Sequence, residues 1–400
     1  MPASSSAGIF RFLEESTPGV IESGGPQIYR VTGGTLSQSV QFDEDNELRS
    51  DRGRGPSTLV SGSVAGPLNI NWSHKTHDTF LEALLASTFT AVDTGGVKTV
   101  ADMVFDATTH SITSASAALP VLEKGQWFGI TGGGNAANRI RFKASSTTAP
   151  TASTIVVDTA VSDVTTQASA STVITSSRLK QGYAAQRTFT IERELSDVSQ
   201  FFTWKGCHVS SLDLSYSLSS KLSGTFNFMA EDSEVQGTAS LFGGIGSAVA
   251  ATTTPYFNTI SGAYVLIDGA VLTDSCIESL TVNIAANLRE RRCIGSGIAP
   301  SSIGTDPFTI TGQANIFFGS SSSATLYGKK LSNLPIVFAV CLTDSLGNAM
   351  AITFPAATVT AAEVDGGSIG SDVMMNVSFT GYTDSTFSTM LAVDRIGSVA

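Results

Sequence analysis

Two stretches of this sequence share a texture that restricts how the rest can be arranged. The first spans residues 43–72. Its charges are dense and mixed, with Asp43, Glu44, Asp45 and Glu47 ahead of Arg49, Asp51, Arg52 and Arg54. Gly53, Gly55 and Pro56 then break the chain before an alternating run over residues 60–72. Such a segment is too polar to be core and too patterned to be a plain linker. It reads as a charged arm that returns into a strand. The second stretch is Asn287-Leu-Arg-Glu-Arg-Arg292, with Arg289, Glu290, Arg291 and Arg292, and it parallels Asn46-Glu-Leu-Arg-Ser-Asp-Arg52. Gly295 and Gly297 follow, then the alternating run 308–318.

Other landmarks recur in the same order. Val265-Leu-Ile-Asp-Gly echoes Tyr29-Arg-Val-Thr-Gly, and residues 336–344 echo 189–197. Residues 356–360 echo 206–210, and 373–379 echo 222–228. Order shared across many weak matches predicts a duplication. Each copy also offers a helix. Phe80, Leu81, Leu84 and Leu85 share one helical face over residues 77–87, with Asp78 or Thr79 as the cap and Thr79-x-x-Glu82 as a capping box. Residues 323–331 hold the same place in the second copy, weakened by Gly328.

Between the echoes the texture changes. Residues 93–180 are rich in Ser, Thr, Ala and Gly, with short strand candidates at 103–105, 127–130, 139–143, 154–157 and 172–174. This predicts a small inserted β domain at a loop tip. The predicted fold is all-β, with a short flanking helix per unit. Two tandem β-sandwich or barrel units occupy residues 1–92 with 181–245 and residues 246–400, and the insert occupies 93–180. Residues 1–30 read as extended and loosely structured.

Composition narrows function. The chain has 400 residues, of which 14% are charged, and a net charge of −11. A duplex-gripping protein normally carries a basic face; an acidic wall instead repels phosphate. Few charges on a chain this long suggest surface buried against partners. Cys207, Cys276, Cys293 and Cys341 lack metal-ligand spacing and read as reduced. No signal-peptide pattern opens the chain, and no run is long enough to span a bilayer.

No catalytic, cofactor or metal site is expected. Gly366-Gly-Ser-Ile-Gly370 matches a nucleophile-elbow pattern, but no histidine follows His208, and the position reads as a hairpin turn. His74, His77 and Asp78 lack a third spaced metal ligand and read as a solvated or interfacial helix start. Gly132-Gly-Gly134 lacks the Gly-Lys-Ser/Thr of a phosphate loop and reads as a β turn. The mixed charges at Arg289–Arg292 and in the first arm suit a protein–protein contact rather than nucleic acid.

Asn46-Glu-Leu-Arg-Ser-Asp-Arg52, Gly62-Ser-Val-Ala-Gly66 and Phe80-Leu-Glu-Ala-Leu-Leu85 resemble the opening of major tail proteins of long-tailed, non-contractile bacteriophages. Gly125-Gln-Trp-Phe-Gly-Ile130 and Asn138-Arg-Ile-Arg-Phe142 resemble the domain inserted in some of them. The resemblance implies a tail tube protein of the virion, assembled in the host bacterial cytoplasm. Its β units would form rings that stack into a tube, enclose the tape measure protein, meet the tail terminator and distal tail proteins, and conduct DNA without binding it. Two units per chain make a homotrimeric, pseudo-hexameric ring the expectation, with a ring of six chains as the alternative. The two arms, residues 43–56 and 287–297, would lock adjacent rings, and reversing Arg49 and Arg52 should block polymerisation but not folding. The rival is a β-rich, adhesin-like surface protein whose insert binds carbohydrate; a hydrolase using Ser368 is a second.

Overall fold

The computed structural model describes every residue except 1–3, 5–6, 46, 48–49, 52, 185, 272–275, 296, 320–321, 368 and 400. Arg49, Arg52 and Ser368 therefore lie outside the described residues. The molecule is mostly strand, as an all-β sequence requires. The first copy contributes β1 (Gly8–Glu15), β2 (Ser37–Asp43), β3 (Thr58–Asn71) and α1 (Asp78–Leu84). Past the six strands of the insert's sheet come β4 (Ser177–Lys180), β5 (Thr188–Leu195), β6 (Gln200–Ser217) and β7 (Ser223–Ala230). The second copy contributes β8 (Asn258–Ile267), β9 (Ile277–Ala285), β10 (Thr309–Phe317) and α2 (Ser322–Ser332). It continues with β11 (Ile336–Thr343), β12 (Ala349–Val364) and β13 (Met374–Gly381), and β14 (Ala392–Ile396) ends it.

The same pairing scheme occurs twice, down to the two bulges of its long strand. β5 meets β6 as Phe189↔Cys207 and Ile191↔Trp204, with a bulge between; β11 meets β12 as Ile336↔Ala357 and Phe338↔Phe354, with a bulge between. A second bulge falls between Val209 and Ser211 on β6, and between Val359 and Ala361 on β12. Bulges re-aim a strand, so matched bulges mean matched bends. The first halves of β6 and β12 pair with β5 and β11, and their second halves with β7 and β13. Each long strand thus belongs to an outer and an inner layer at once.

The registers also re-align two echoes read from the sequence. β8 pairs with β11 as β1 pairs with β5, so Val265 stands where Phe10 stands rather than where Tyr29 does. Asn287 stands where Gln41 does, not where Asn46 does, because Asn283 and Ser37 hold the same pairing position. A period of two makes many slips look alike in sequence. β1 is a further correction. Residues 8–15 are not loose: they pair on both sides, with β5 and with Gln27–Tyr29, and bury Phe10 and Phe12. Their alternation was the available signal.

The inner layer is one continuous antiparallel sheet, ordered β2–β3–β7–β6–β9–β10–β13–β12. Its centre is the β6–β9 joint, where the two copies meet as Leu212↔Ile284 through Ser217↔Ser279. One hydrophobic core runs beneath both copies.

α1 begins at His77, with no side-chain cap, so neither the Asp78/Thr79 cap nor the Thr79–Glu82 box forms. Glu82 turns away instead, accepting from the Phe89 amide (2.9 Å) and pairing with Arg187 (2.7 Å). His77 is not solvated. It is buried, with Nε2–H donating to the Asn71 carbonyl (3.1 Å) and Nδ1 accepting from the Tyr29 hydroxyl (2.8 Å). Burial lowers its pKa to about 3. α2 occupies the expected place despite Gly328.

The insert is a six-stranded sheet with its own core around Met103, Phe105, Phe128, Phe142 and Ile174. It contains the five expected strands and one more, Ser111–Ser114. It is docked rather than hung from a loop tip. Trp127 is buried among Leu266, Ala339, Cys341, Ala351 and Ile396. Asp394 on β14 accepts from Arg178 Nε (2.7 Å) and from the Trp127 amide (3.0 Å), and forms a 2.6 Å ion pair with Arg178. Burial pushes the Asp394 pKa up, against the pull of Arg178. β14 itself bridges β4 and β12.

Candidate assembly surfaces

The inner sheet has two faces of opposite character. Alternation sends Val64, Leu68, Leu212, Leu214, Phe226, Phe228, Val282 and Phe379 into the core. The opposite face carries a groove lined by Ser215, Thr225, Thr281, Asn283, Gln313, Ser378 and Thr380. Counting β6 from Cys207 and β12 from Ala357, the eight strands contain no lysine and no arginine. The carboxylates on this face include Asp213 and Glu363, which hold the same position in the two copies. Asp213 accepts from Asn283 Nδ2 (2.6 Å) and Asn227 Nδ2 (3.0 Å). The face is therefore hydroxyl- and amide-rich, with isolated negative charge.

The sheet ends on two open edges, β2 and the second half of β12. An unpaired edge is a template for another strand. Each carries one charged cap. Glu234 accepts from the Gln38 amide (3.0 Å), and Lys330 donates to the Ala362 carbonyl (3.0 Å). Sequence reasoning missed both caps, because each joins residues far apart in the chain.

The arms differ from one another. In the first, Asp43 ends β2, Glu44 pairs with Arg54 (2.5 Å), Asp45 accepts from the Glu47 amide (2.9 Å) and Asp51 from the Gly53 amide (3.0 Å). Arg49 and Arg52 are outside the described residues. The second arm is a hairpin, Leu288–Arg291 against Ser302–Thr305. Arg289 pairs with Asp306 (3.4 Å), and Glu290 with Arg292 (2.6 Å). Arg292 also donates to the Gly62 carbonyl (2.6 Å) and the Ile298 carbonyl (2.9 Å), while the Gly62 amide donates to Ile298 (3.1 Å). This arm is therefore fastened to β3 of the first copy. Ala286 and Leu288 at its base are covered, whereas Val40 and Phe42, at the matching places in the first arm, are exposed.

No group of three or more His, Cys, Asp or Glu among the described residues is arranged to hold a metal. None of the four cysteines is in a disulfide; Cys207 and Cys341 are buried, Cys276 and Cys293 exposed. Gly366–Gly370 lies between two antiparallel strands, β12 and β13. No described helix is long and apolar enough to cross a membrane.

These features are an open half-barrel with a polar concave face and unpaired edges, in a chain that repeats its unit. The sequence model of the family described as phage tail tube protein matches residues 5–381. The chain belongs to that family. It is a structural tail tube protein of the virion tail, and self-assembly into a tube follows from membership. No curated protein matches the chain. The match spans both arms, the insert and the inner-sheet strands of both copies.

Proposed function

We propose that three copies of this chain close into a pseudo-hexameric ring, that rings stack into the tail tube, and that the polar concave face becomes the lumen. The observation that carries this is the β6–β9 joint. Two tube units already share one sheet inside a single chain, so a ring of three double units needs the same rotation per unit as a ring of six single ones. In this reading the units are residues 1–92 with 181–245 and residues 246–400. The insert, 93–180, faces outward on the rigid mount made by Arg178, Asp394 and Trp127.

The lumen would enclose the tape measure protein during assembly in the host cytoplasm and then pass DNA. A surface without lysine or arginine offers phosphates nothing to bind, and Asp213 and Glu363 repel them. The tube ends would meet the tail terminator and distal tail proteins. The arms supply assembly contacts. The second arm's grip on Gly62 supports a lateral role, and the charges from Asp43 to Arg54 leave the first arm available for contact between rings.

Negative-stain imaging of purified protein, with averaged end-on views, tests the ring. Hollow tubes with three outer lobes and a near-sixfold lumen are expected. Six outer lobes would keep the tube and replace the trimer with a ring of six chains. Discrete particles under every assembly condition would remove the tube reading.

A further inference from the structure

Resting on that ring reading, we infer the seam between neighbouring chains at residue resolution: β12 of one chain pairs antiparallel with β2 of the next, with Ala362 opposite Gln38 and Glu363 opposite Ser37.

The internal joint supplies the template. Matched bulges and registers place Leu212 and Ala362 at one position of the unit, and Asp213 and Glu363 at the next. The same matching places Ile284 with Gln38, and Asn283 with Ser37. Inside the chain Leu212 faces Ile284 and Asp213 faces Asn283. Transferring that joint to the two open edges yields the stated seam.

Backbone direction agrees. The Ala286 amide donates to the Ser210 carbonyl across the joint (2.9 Å), so Leu212 and Ile284 also point their peptide groups across it. On β12 the Asp365 amide donates inward to Met374 (2.8 Å), which turns Ala362 outward. On β2 the Thr35 amide bonds inward to Pro67 (3.1 Å), and the Gly62 amide opposite Val40 turns away from β2. Gln38 therefore points outward as well. The groups predicted to meet are the Gln38 amide and the Ala362 carbonyl, and these are the ones that Glu234 and Lys330 cap in the single chain. Two caps on two distant edges coincide with one predicted backbone pair. They blunt the edges before assembly, as charges on edge strands do. Ring closure exchanges them for reciprocal backbone bonds and frees an opposite-charge pair at the seam. The apolar base of the first arm, Val40 and Phe42, would be covered as Ala286 and Leu288 are.

Cysteine pairing tests the register. Residues opposite each other in a non-hydrogen-bonded pair sit about 4.5 Å apart at Cα, within disulfide reach. Ser37→Cys with Glu363→Cys, in a background where Cys276 and Cys293 are serine, should stay monomeric on non-reducing gels before assembly. Oxidised tubes should yield covalent trimers. Asp213→Cys with Asn283→Cys, the matching pair inside one chain, should close without assembly. Tubes that cross-link only through Ser39→Cys with Glu363→Cys would overturn the register. Covalent hexamers would uphold the seam and overturn the three-chain ring. Hydrogen exchange on the unaltered protein removes dependence on the variants. Residues 36–40 and 360–364 should gain protection on assembly. Tubes in which they exchange as in the monomer would overturn the seam, and absence of tubes would overturn the ring reading itself.

Discussion

The two copies of the unit share both bulges of their long strands and the registers around them, yet their cores are built differently. In the first, Phe80 on α1 sits at the centre of an aromatic knot with Phe12, Tyr29, Phe189, Phe226 and Phe228. In the second, Phe338, Phe354 and Phe379 pack together, and α2 leaves Tyr327 and Leu331 exposed. The shared part is the backbone path; the divergent part is what fills it. Assembly depends on where edges and bends lie, so the path is what a ring of alternating copies must hold constant. The filling is free to vary as long as volume is conserved.

The sharpest way to break that comparison is to truncate the aromatic ring that each helix carries. Phe80→Ala should cost about 3–5 kcal/mol, since a large buried ring leaves a cavity. Tyr327→Ala should change stability by less than about 0.5 kcal/mol, as exposed sites do. Thermal or denaturant unfolding followed by hydrogen exchange in each copy checks both. Equal losses would mean the helices are equivalent after all.

A second difference is the insert, which interrupts only the first copy yet docks on the second through β14. Asp394→Asn leaves the buried Arg178 guanidinium with only the half-exposed Glu123 carboxylate, 3.5 Å away, as countercharge. Breaking one partner of a buried pair costs about 3–5 kcal/mol. The expected readout is local: faster proteolysis within 93–180, with the inner sheet still protected. Uniform loosening would show that the insert is integral to the unit rather than mounted on it.

Gly312→Ala probes the shared path itself and should cost less. A Cβ there would lie 2.1 Å from the Phe379 ring, which must shift against Phe338 and Phe354. Overpacking of this kind costs about 1–3 kcal/mol. The loss should appear in the second copy's melting and leave Phe226 and Phe228 in place.

How much of this was legible beforehand follows from the range of each signal. Periodicity of two marked most of the strands, and recurring order marked the duplication, because both are local patterns. Periodicity could not choose among registers, so the echo of Val265 fell on Tyr29 instead of Phe10. The Thr79–Glu82 box failed because Glu82 found Arg187, a partner more than a hundred residues away. The surfaces were the least legible. The arms are visible as charge, but the edge caps Glu234 and Lys330, the Arg292 grip on Gly62 and the Arg178–Asp394 mount each join residues whose proximity only the folded sheet creates.

The mildest expected effect at neutral pH separates the two copies by acid sensitivity. All four histidines fall at or before His208, so none lies in the second copy. His77 is neutral in the fold, with its pKa lowered from 6.5 to about 3 by burial. The unfolded chain binds a proton there more readily than the folded one, so stability rises with pH through this window. The contribution is full above about pH 6.5 and drains away as pH falls toward 3. His77→Gln should lose about 1 kcal/mol at pH 7, the net worth of a typical buried hydrogen bond, yet its melting temperature should fall less steeply than the parent's between pH 6.5 and 4. Hydrogen exchange should then find the parent's first copy opening ahead of its second as pH drops, and the variant's two copies opening closer together. If the variant keeps the parent's slope, the acid response belongs to other groups, beginning with His74, whose pKa burial also lowers to about 4, and the aromatic knot around Phe80 contributes packing alone.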